Sequence, residues 1–173
     1  MTYWIQRGRT FEAEAVNKGW DHADEPALTE LIADLRFTSV LEVGCGFGRI
    51  GQGIVDRWPT IKYTGLDVSP DLVEAARKRL PGQEFICADL ATWIPGRRWD
   101  LVLAVSVLSH LRPAQVERVI GRLRRAARQD LVILDWDAVG ASTPYQWGHD
   151  FRRLLAPIHC ARPIGALTLW HVR

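Results

Sequence analysis

Apolar residues follow two rhythms along this chain. Short continuous runs alternate with stretches in which apolar positions recur every three or four residues. The runs at Ser39–Val43, Tyr63–Leu66, Glu84–Cys87, Asp100–Val105 and Asp130–Asp135 read as strands. The fourth is almost wholly aliphatic, as a strand covered on both faces should be. The spaced stretches read as amphipathic helices. Residues 3–18 carry Tyr3, Trp4, Phe11 and Val16, and a loop with Gly19, Trp20, Asp21 and His22 follows. Asp24 is placed to cap a helix bearing Leu28, Leu31, Ile32 and Leu35. Ile50, Ile54, Val55 and Trp58 share a helix that Pro59 stops. Ser69-Pro70-Asp71 supplies a capping hydroxyl, a first-turn proline and an acid at the positive helix end. Pro113 opens a helix with Val116, Val119, Ile120 and Leu123 on one side and Arg118, Arg122, Arg124, Arg125 and Arg128 on the other. That arginine face reads as solvated. After a loop through Tyr145 and Trp147 comes a short helix near Asp150–Leu155. Two last strands, Ile158–Arg162 and Ala166–Val172, flank Pro163-Ile164-Gly165, a connection short enough for an antiparallel pair.

Alternation of this kind predicts an α/β fold: a doubly wound, mostly parallel sheet of seven strands, with a C-terminal antiparallel hairpin and helices on both faces. With 173 residues, one domain is expected, residues 1–36 forming an N-terminal helical cap and 37–173 a Rossmann-like core.

The most informative segment follows the first strand. Val40-Leu41-Glu42-Val43 runs into Gly44-Cys45-Gly46-Phe47-Gly48-Arg49, a turn with glycine at every second position before a helix. Glycines permit positive φ and let a ligand approach the main chain. Exposed N–H groups gather at the helix start, where α/β sheets bind nucleotide-like ligands. Gly46-Phe47-Gly48-Arg49-Ile50-Gly51 also satisfies the dinucleotide pattern G-x-G-x-x-G, so the turn alone leaves two readings open.

Composition narrows the class without choosing the chemistry. Hydrophobic content of 47% and charged content of 24% are those of a globular protein, and a net charge of +2 does not point to nucleic acid. The longest apolar run, Leu101–Leu111, is too short to span a membrane, and the N-terminus has no signal-peptide core. Cys45, Cys87 and Cys160 lack metal-ligand spacing, so free thiols in a reducing cytoplasm and no metal are expected.

Later residues separate the two readings. The turn resembles motif I of the class I S-adenosylmethionine-dependent methyltransferases, a hydrophobic strand followed by acid-x-Gly-x-Gly-x-Gly. Asp67 ends the second strand, where a carboxylate accepts from both ribose hydroxyls. A helix-capping Asp is the plainer reading. The position also fits motif II, with Val68 against the adenine. Asp89-Leu90 resembles the site at which an Asp accepts from the adenine amino group and the next N–H meets the ring. The resemblance implies that Glu42 handles the amino end of the methionine moiety and that Gly44, Gly46 and Gly48 lie along the methionine and ribose. It also implies that Val105 and Ser106 stand beside the sulfonium. Asn/Asp-Pro-Pro-aromatic, typical of nucleic-acid amino-methyltransferases, is absent here.

His110 has the pKa range of a general base, against a plain structural role near a helix start. His149, with Tyr145 and Trp147, follows the fifth strand, where the family often lines its acceptor pocket, though simple packing on the sheet edge explains it as well. Trp4 opens the helix that in the family closes over the cofactor. Arg7 or Arg9 is placed to hold the methionine carboxylate, beside the plainer reading of a solvated basic helix.

The resemblance implies a methyltransferase that uses S-adenosylmethionine, releases S-adenosylhomocysteine, needs no metal, and methylates an oxygen, nitrogen or carbon of a small molecule as a monomer or homodimer. The alternatives are an RNA or protein methyltransferase, an NAD-binding oxidoreductase module and a non-catalytic cofactor-binding subunit.

Overall fold

The aliphatic runs become strands because most bury their side chains under flanking helices; in β3 only Phe85 is buried. The computed structural model describes residues 2–17 and 25–173; the loop at Gly19–His22 and the Asp24 cap lie outside the described residues. Two compact units divide the chain, Met1–Asp89 and Leu90–Arg173.

In the first unit, β1 (Ser39–Val43), β2 (Lys62–Asp67) and β3 (Glu84–Cys87) are parallel, with β2 in the middle. Around them lie α1 (Thr2–Asn17), α2 (Glu25–Ala33), α3 (Arg49–Arg57) and α4 (Pro70–Arg79). Helix α2 buries Leu28 and Ile32 and ends at Ala33, so Leu35 falls in the turn beyond it. Helix α3 stops at Arg57, two residues before Pro59, with Trp58 as its C-cap. Helix α4 has the expected ends: Ser69 Oγ accepts from Leu72 N, Pro70 opens the first turn, and Arg77, Lys78 and Arg79 occupy the last.

In the second unit, β4 (Trp99–Val105) is buried along its whole length and pairs in parallel with β5 (Ala127–Trp136). Helix α5 (Pro113–Ala126) passes directly into β5, which starts three residues earlier than its apolar run. Ala127 pairs with Trp99 across a register shift, so ladder bonding carries the exposed Arg128 and Gln129 into the strand despite their polarity. A small hairpin, β6 (Ser142–Thr143) and β7 (Gln146–Trp147), occupies the predicted loop. Helix α6 (Phe151–Leu154) leads to β8 (Cys160–Ile164) and β9 (Leu167–Val172), which are antiparallel. Pro163 belongs to β8 and not to the turn; β8 ends the sheet, and an edge position tolerates a residue without an N–H. The connection is Gly165-Ala166, with Gly165 at φ +59°. The seven strands take the order β3-β2-β1-β4-β5-β9-β8, parallel within the first unit and from β4 to β5, with β9 antiparallel to both its neighbours.

The expected arginine face is only partly solvated. On α5, Arg122 donates to the carbonyls of Ala91 (2.7 Å) and Trp93 (2.6 Å), and Arg124 to those of Leu155 and Ala156; Arg128 lies beyond the helix, in β5, and pairs with Asp100 at 3.4 Å. Guanidinium forks are well shaped to collect several carbonyls at once, and periodicity cannot reveal that use.

Candidate cofactor and acceptor sites

The glycine turn is held open by the main chain around it. Gly44 N and Cys45 N both donate to the Leu66 carbonyl, at 2.7 and 3.0 Å. Gly44, Gly46 and Gly48 have φ of +70°, +54° and +82°, a region that side chains rarely adopt. A Cβ at Gly46 would meet nothing within 4 Å, so open space lies over the middle of the turn. At Gly48 it would stand 3.3 Å from Ala76, so this glycine brings α3 close against α4. Gly51 does the same for a different partner. Its missing Cβ leaves room for the ring of Tyr63, whose atoms would otherwise lie 2.5 Å away. Tyr63 uses that space to donate its hydroxyl to Glu42 at 2.5 Å. The buried carboxylate that is costly in an apolar strand thereby has a partner. Burial, and then the Glu42 charge, push the Tyr63 phenol well above its ordinary range.

Asp67 is 8% exposed at the end of β2. Its Oδ2 accepts from Gly46 N and its Oδ1 from Ser69 N, each at 2.9 Å. One side chain thus ties the glycine turn to the start of α4. Burial raises the Asp67 carboxyl above its usual value, and the N–H groups of Ser69, Gly46 and Val68 offset part of that rise. Val68 is half-buried beside it. Asp89, also half-buried, closes the first unit after β3, and the buried Leu90 opens the second.

An aromatic ladder lays α1 on this turn. Trp4 meets Phe11 edge-on at 5.2 Å, and Phe11 lies 6.3 Å from Phe47, the residue between two of the glycines. Phe47 is buried against Leu72, with the Arg79 guanidinium 4.9 Å from its ring. Gly8 lets the helix approach, since a Cβ there would collide with the Ser69 hydroxyl. Arg7 is bound by Glu14, and Arg9 pairs with Asp71 at 3.4 Å.

The second unit contains a separate group. Val105 is buried at the end of β4, and Ser106 is exposed with φ +51° while its N–H donates to Leu134 O at 2.7 Å. A non-glycine residue in that region stores local strain. A 3₁₀ turn, Leu108–His110, follows. Asp135, fully buried at the end of β5, accepts from Leu108 N (2.7 Å) and Ser109 N (3.2 Å) through Oδ2, and from Trp136 N (2.8 Å) through Oδ1. His149 is buried with Nε2 at 3.1 Å from both the Leu108 and Leu111 carbonyls. His110 is half-buried, its Nδ1 2.8 Å from the Tyr145 carbonyl. Burial lowers the His110 pKa below its usual value, while the Tyr145 contact and the Asp135 charge oppose the shift. Tyr145 itself is exposed, and Trp147 is half-buried in β7. Among the described residues no group of His, Cys, Asp or Glu is arranged to hold a metal ion.

The sequence pattern described as a methyltransferase domain matches residues 41–132, more than half of the chain. The chain belongs to that family. Trans-aconitate 2-methyltransferase of Rhodopseudomonas palustris (strain BisB18) is 36% identical to this methyltransferase domain over 120 residues, covering 65% of the chain and 46% of that protein. The namesake in Methylobacterium radiotolerans is 40% identical over 94 residues, covering 53% of the chain and 36% of the relative. The chain therefore spans less than half the length of these relatives. Among solved structures, a DhpI–SAH complex matches 99% of the chain and 93% of its own with a TM-score of 0.80 at 22% identity. Magnesium protoporphyrin IX methyltransferase from Synechocystis PCC 6803 with bound SAM matches 91% of the chain and 81% of its own, with a TM-score of 0.69 at 19% identity. These two likenesses establish a shared fold.

Three residues of this methyltransferase domain have parts that the sequence pattern does not show. By pattern Tyr63 reads only as a strand residue, Gly51 as the last member of an ambiguous motif and Asp135 as a strand end. The signal for Asp135 was present: like Glu42, it is an acid closing an aliphatic run, and such an acid demands a partner.

Proposed function

We propose that this chain is an S-adenosylmethionine-dependent methyltransferase for a small-molecule acceptor, working as one domain with residues 1–36 as its cap. The observation that carries the reading is the open space over Gly46 beside the buried carboxylate of Asp67. These residues fit the cofactor: Asp67 Oδ2 accepts from Gly46 N and Oδ1 from Ser69 N, a carboxylate has lone pairs beyond those bonds for a ribose hydroxyl, and a Cβ at Gly46 would meet nothing within 4 Å. The family match and the named relatives support the same reading. Glu42, Gly44, Gly46, Gly48, Asp67, Val68, Asp89, Leu90 and Val105 would hold the cofactor. Trp4, Ser106, Tyr145 and Trp147 would line the acceptor side. When bound, S-adenosylmethionine supplies a methyl group already activated on a cationic sulfur.

His110 is the proposed base. A carbonyl oxygen can only accept, so the contact with Tyr145 puts the ring hydrogen on Nδ1 and makes Nε2 the basic nitrogen of the neutral ring. His149 was the other candidate. Its Nε2 faces two carbonyls and so carries hydrogen, which favours holding the turn over taking a proton at that nitrogen. The free thiols of Cys45, Cys87 and Cys160 suit a reducing cytoplasm.

Calorimetry tests the cofactor. S-adenosylhomocysteine should bind and NAD should not; NAD binding without a response to the sulfur compound would overturn the reading. The names of the curated relatives favour a second version, in which the acceptor is a carboxylate such as trans-aconitate. A carboxylate is already a nucleophile and needs no base. Trans-aconitate with methyl-labelled cofactor separates the two. Labelled ester on trans-aconitate that survives His110→Ala assigns a carboxylate acceptor. No ester from the parent leaves an acceptor that must lose a proton, and with such an acceptor His110→Ala should cost about 10²–10⁴-fold in turnover.

A further inference from the structure

We infer that Asp135 is a positioning residue: through the Leu108–His110 turn it fixes the nitrogen at which His110 takes up a proton. This rests on the reading of His110 as a base. The carboxylate is 0% exposed and collects three main-chain N–H groups, two of them from the start of the 3₁₀ turn. Those N–H groups have no partner within a turn that begins there, so the bond from β5 sets the direction in which the turn leaves β4. His149 holds the other side through the Leu108 and Leu111 carbonyls. Donors and acceptors of one short turn are thus gripped by two buried side chains from later in the chain. His110 is delivered with Nδ1 on the Tyr145 carbonyl. The two histidines of this frame carry their hydrogens on opposite nitrogens: His110 on Nδ1, His149 on Nε2.

Asparagine cannot replace Asp135. Both carboxylate oxygens face N–H donors, so an amide NH₂ would confront a donor on one side or the other. The Asp135 charge also opposes the effect of burial on His110.

Nitrogen-edited histidine spectra and amide exchange of the isotope-labelled protein test the inference without any acceptor. In the parent, neutral His110 should carry its proton on Nδ1, and the Leu108 and Ser109 amides should exchange slowly. In Asp135→Asn those two amides should exchange about tenfold faster or more, as expected for losing a buried hydrogen bond. The preference of neutral His110 for the Nδ1 proton should weaken, and its midpoint should move down, because the turn is no longer held and a nearby negative charge has been removed. A parent with the proton on Nε2, or a variant that keeps the parent's Nδ1 preference, amide exchange and midpoint, overturns the inference. If the variant does not fold, the parent decides: Nδ1 protonation with slow Leu108 and Ser109 amides supports the role, and any other parent result ends it. S-adenosylhomocysteine should bind Asp135→Asn within about twofold of the parent, since Asp135 is not among its proposed contacts. Failure of the parent to bind that compound would sink the methyltransferase reading while leaving the histidine measurements to stand.

Discussion

The glycine turn of the first unit and the 3₁₀ turn of the second both follow a buried parallel strand, yet they are built by opposite means. The glycine turn works by leaving side chains out. Positive φ at Gly44, Gly46 and Gly48 and the space over Gly46 keep the main chain bare, and Asp67 ties it from one strand away. The 3₁₀ turn works by putting side chains in: Asp135 and His149 grip its N–H and C=O groups from β5 and from the segment before α6. A surface for a ligand of fixed shape suits a bare backbone. A reactive side chain needs its rotamer and hydrogen position held, which takes packed polar partners. Adding atoms should therefore damage the first turn, and removing them should damage the second.

The largest effect is expected at Gly46→Val. A β-branched residue at φ +54° is strained, and its side chain enters the open space, so S-adenosylhomocysteine affinity should fall by about 3 kcal/mol or more in calorimetry. Retained affinity would break the comparison, because the turn would then not need to be bare. Asp67→Ala should weaken the same binding by about 1.5–3 kcal/mol through lost charge-assisted hydrogen bonds. His149→Leu should behave in the converse way. Two buried carbonyls lose their donor, so thermal unfolding should report about 1–3 kcal/mol of lost stability with cofactor affinity unchanged.

The smallest effect is a pH dependence of the first site. In the proposed site ribose hydroxyls would donate to the ionised form of Asp67, and burial raises its midpoint above the usual 3.8. Affinity should accordingly be full near neutrality and fall with acid at a higher pH than an ordinary carboxylate would show. The same shift means that ionised Asp67 costs the free protein stability. That cost is absent below the unfolded midpoint and appears as pH rises through the folded one. Binding that stays constant down to pH 4 in a folded sample would place the ribose elsewhere.

Much of the first unit is decided by short stretches of sequence. Alternating aliphatic runs and helical spacing fix β1 to β3 and their helices, and Ser69-Pro70-Asp71 fixes where α4 begins. The glycine spacing, with acids at the ends of β1, β2 and β3, indicates the cofactor class, since a bare turn and strand-end carboxylates are properties of neighbouring residues. Tertiary structure decided what depends on partners distant in the chain. It gave Glu42 its Tyr63 and extended β5 past its apolar run. Pro163 went to an edge strand, and Arg122 and Arg124 to loop carbonyls. It also set the nitrogen on which each of the two histidines carries its hydrogen, because that hydrogen is set by what each nitrogen meets. Tyr145 stands 35 positions from His110, and Leu108 stands 41 from His149. Periodicity and composition hold no record of such pairings; only the packed chain brings the partners within hydrogen-bond reach.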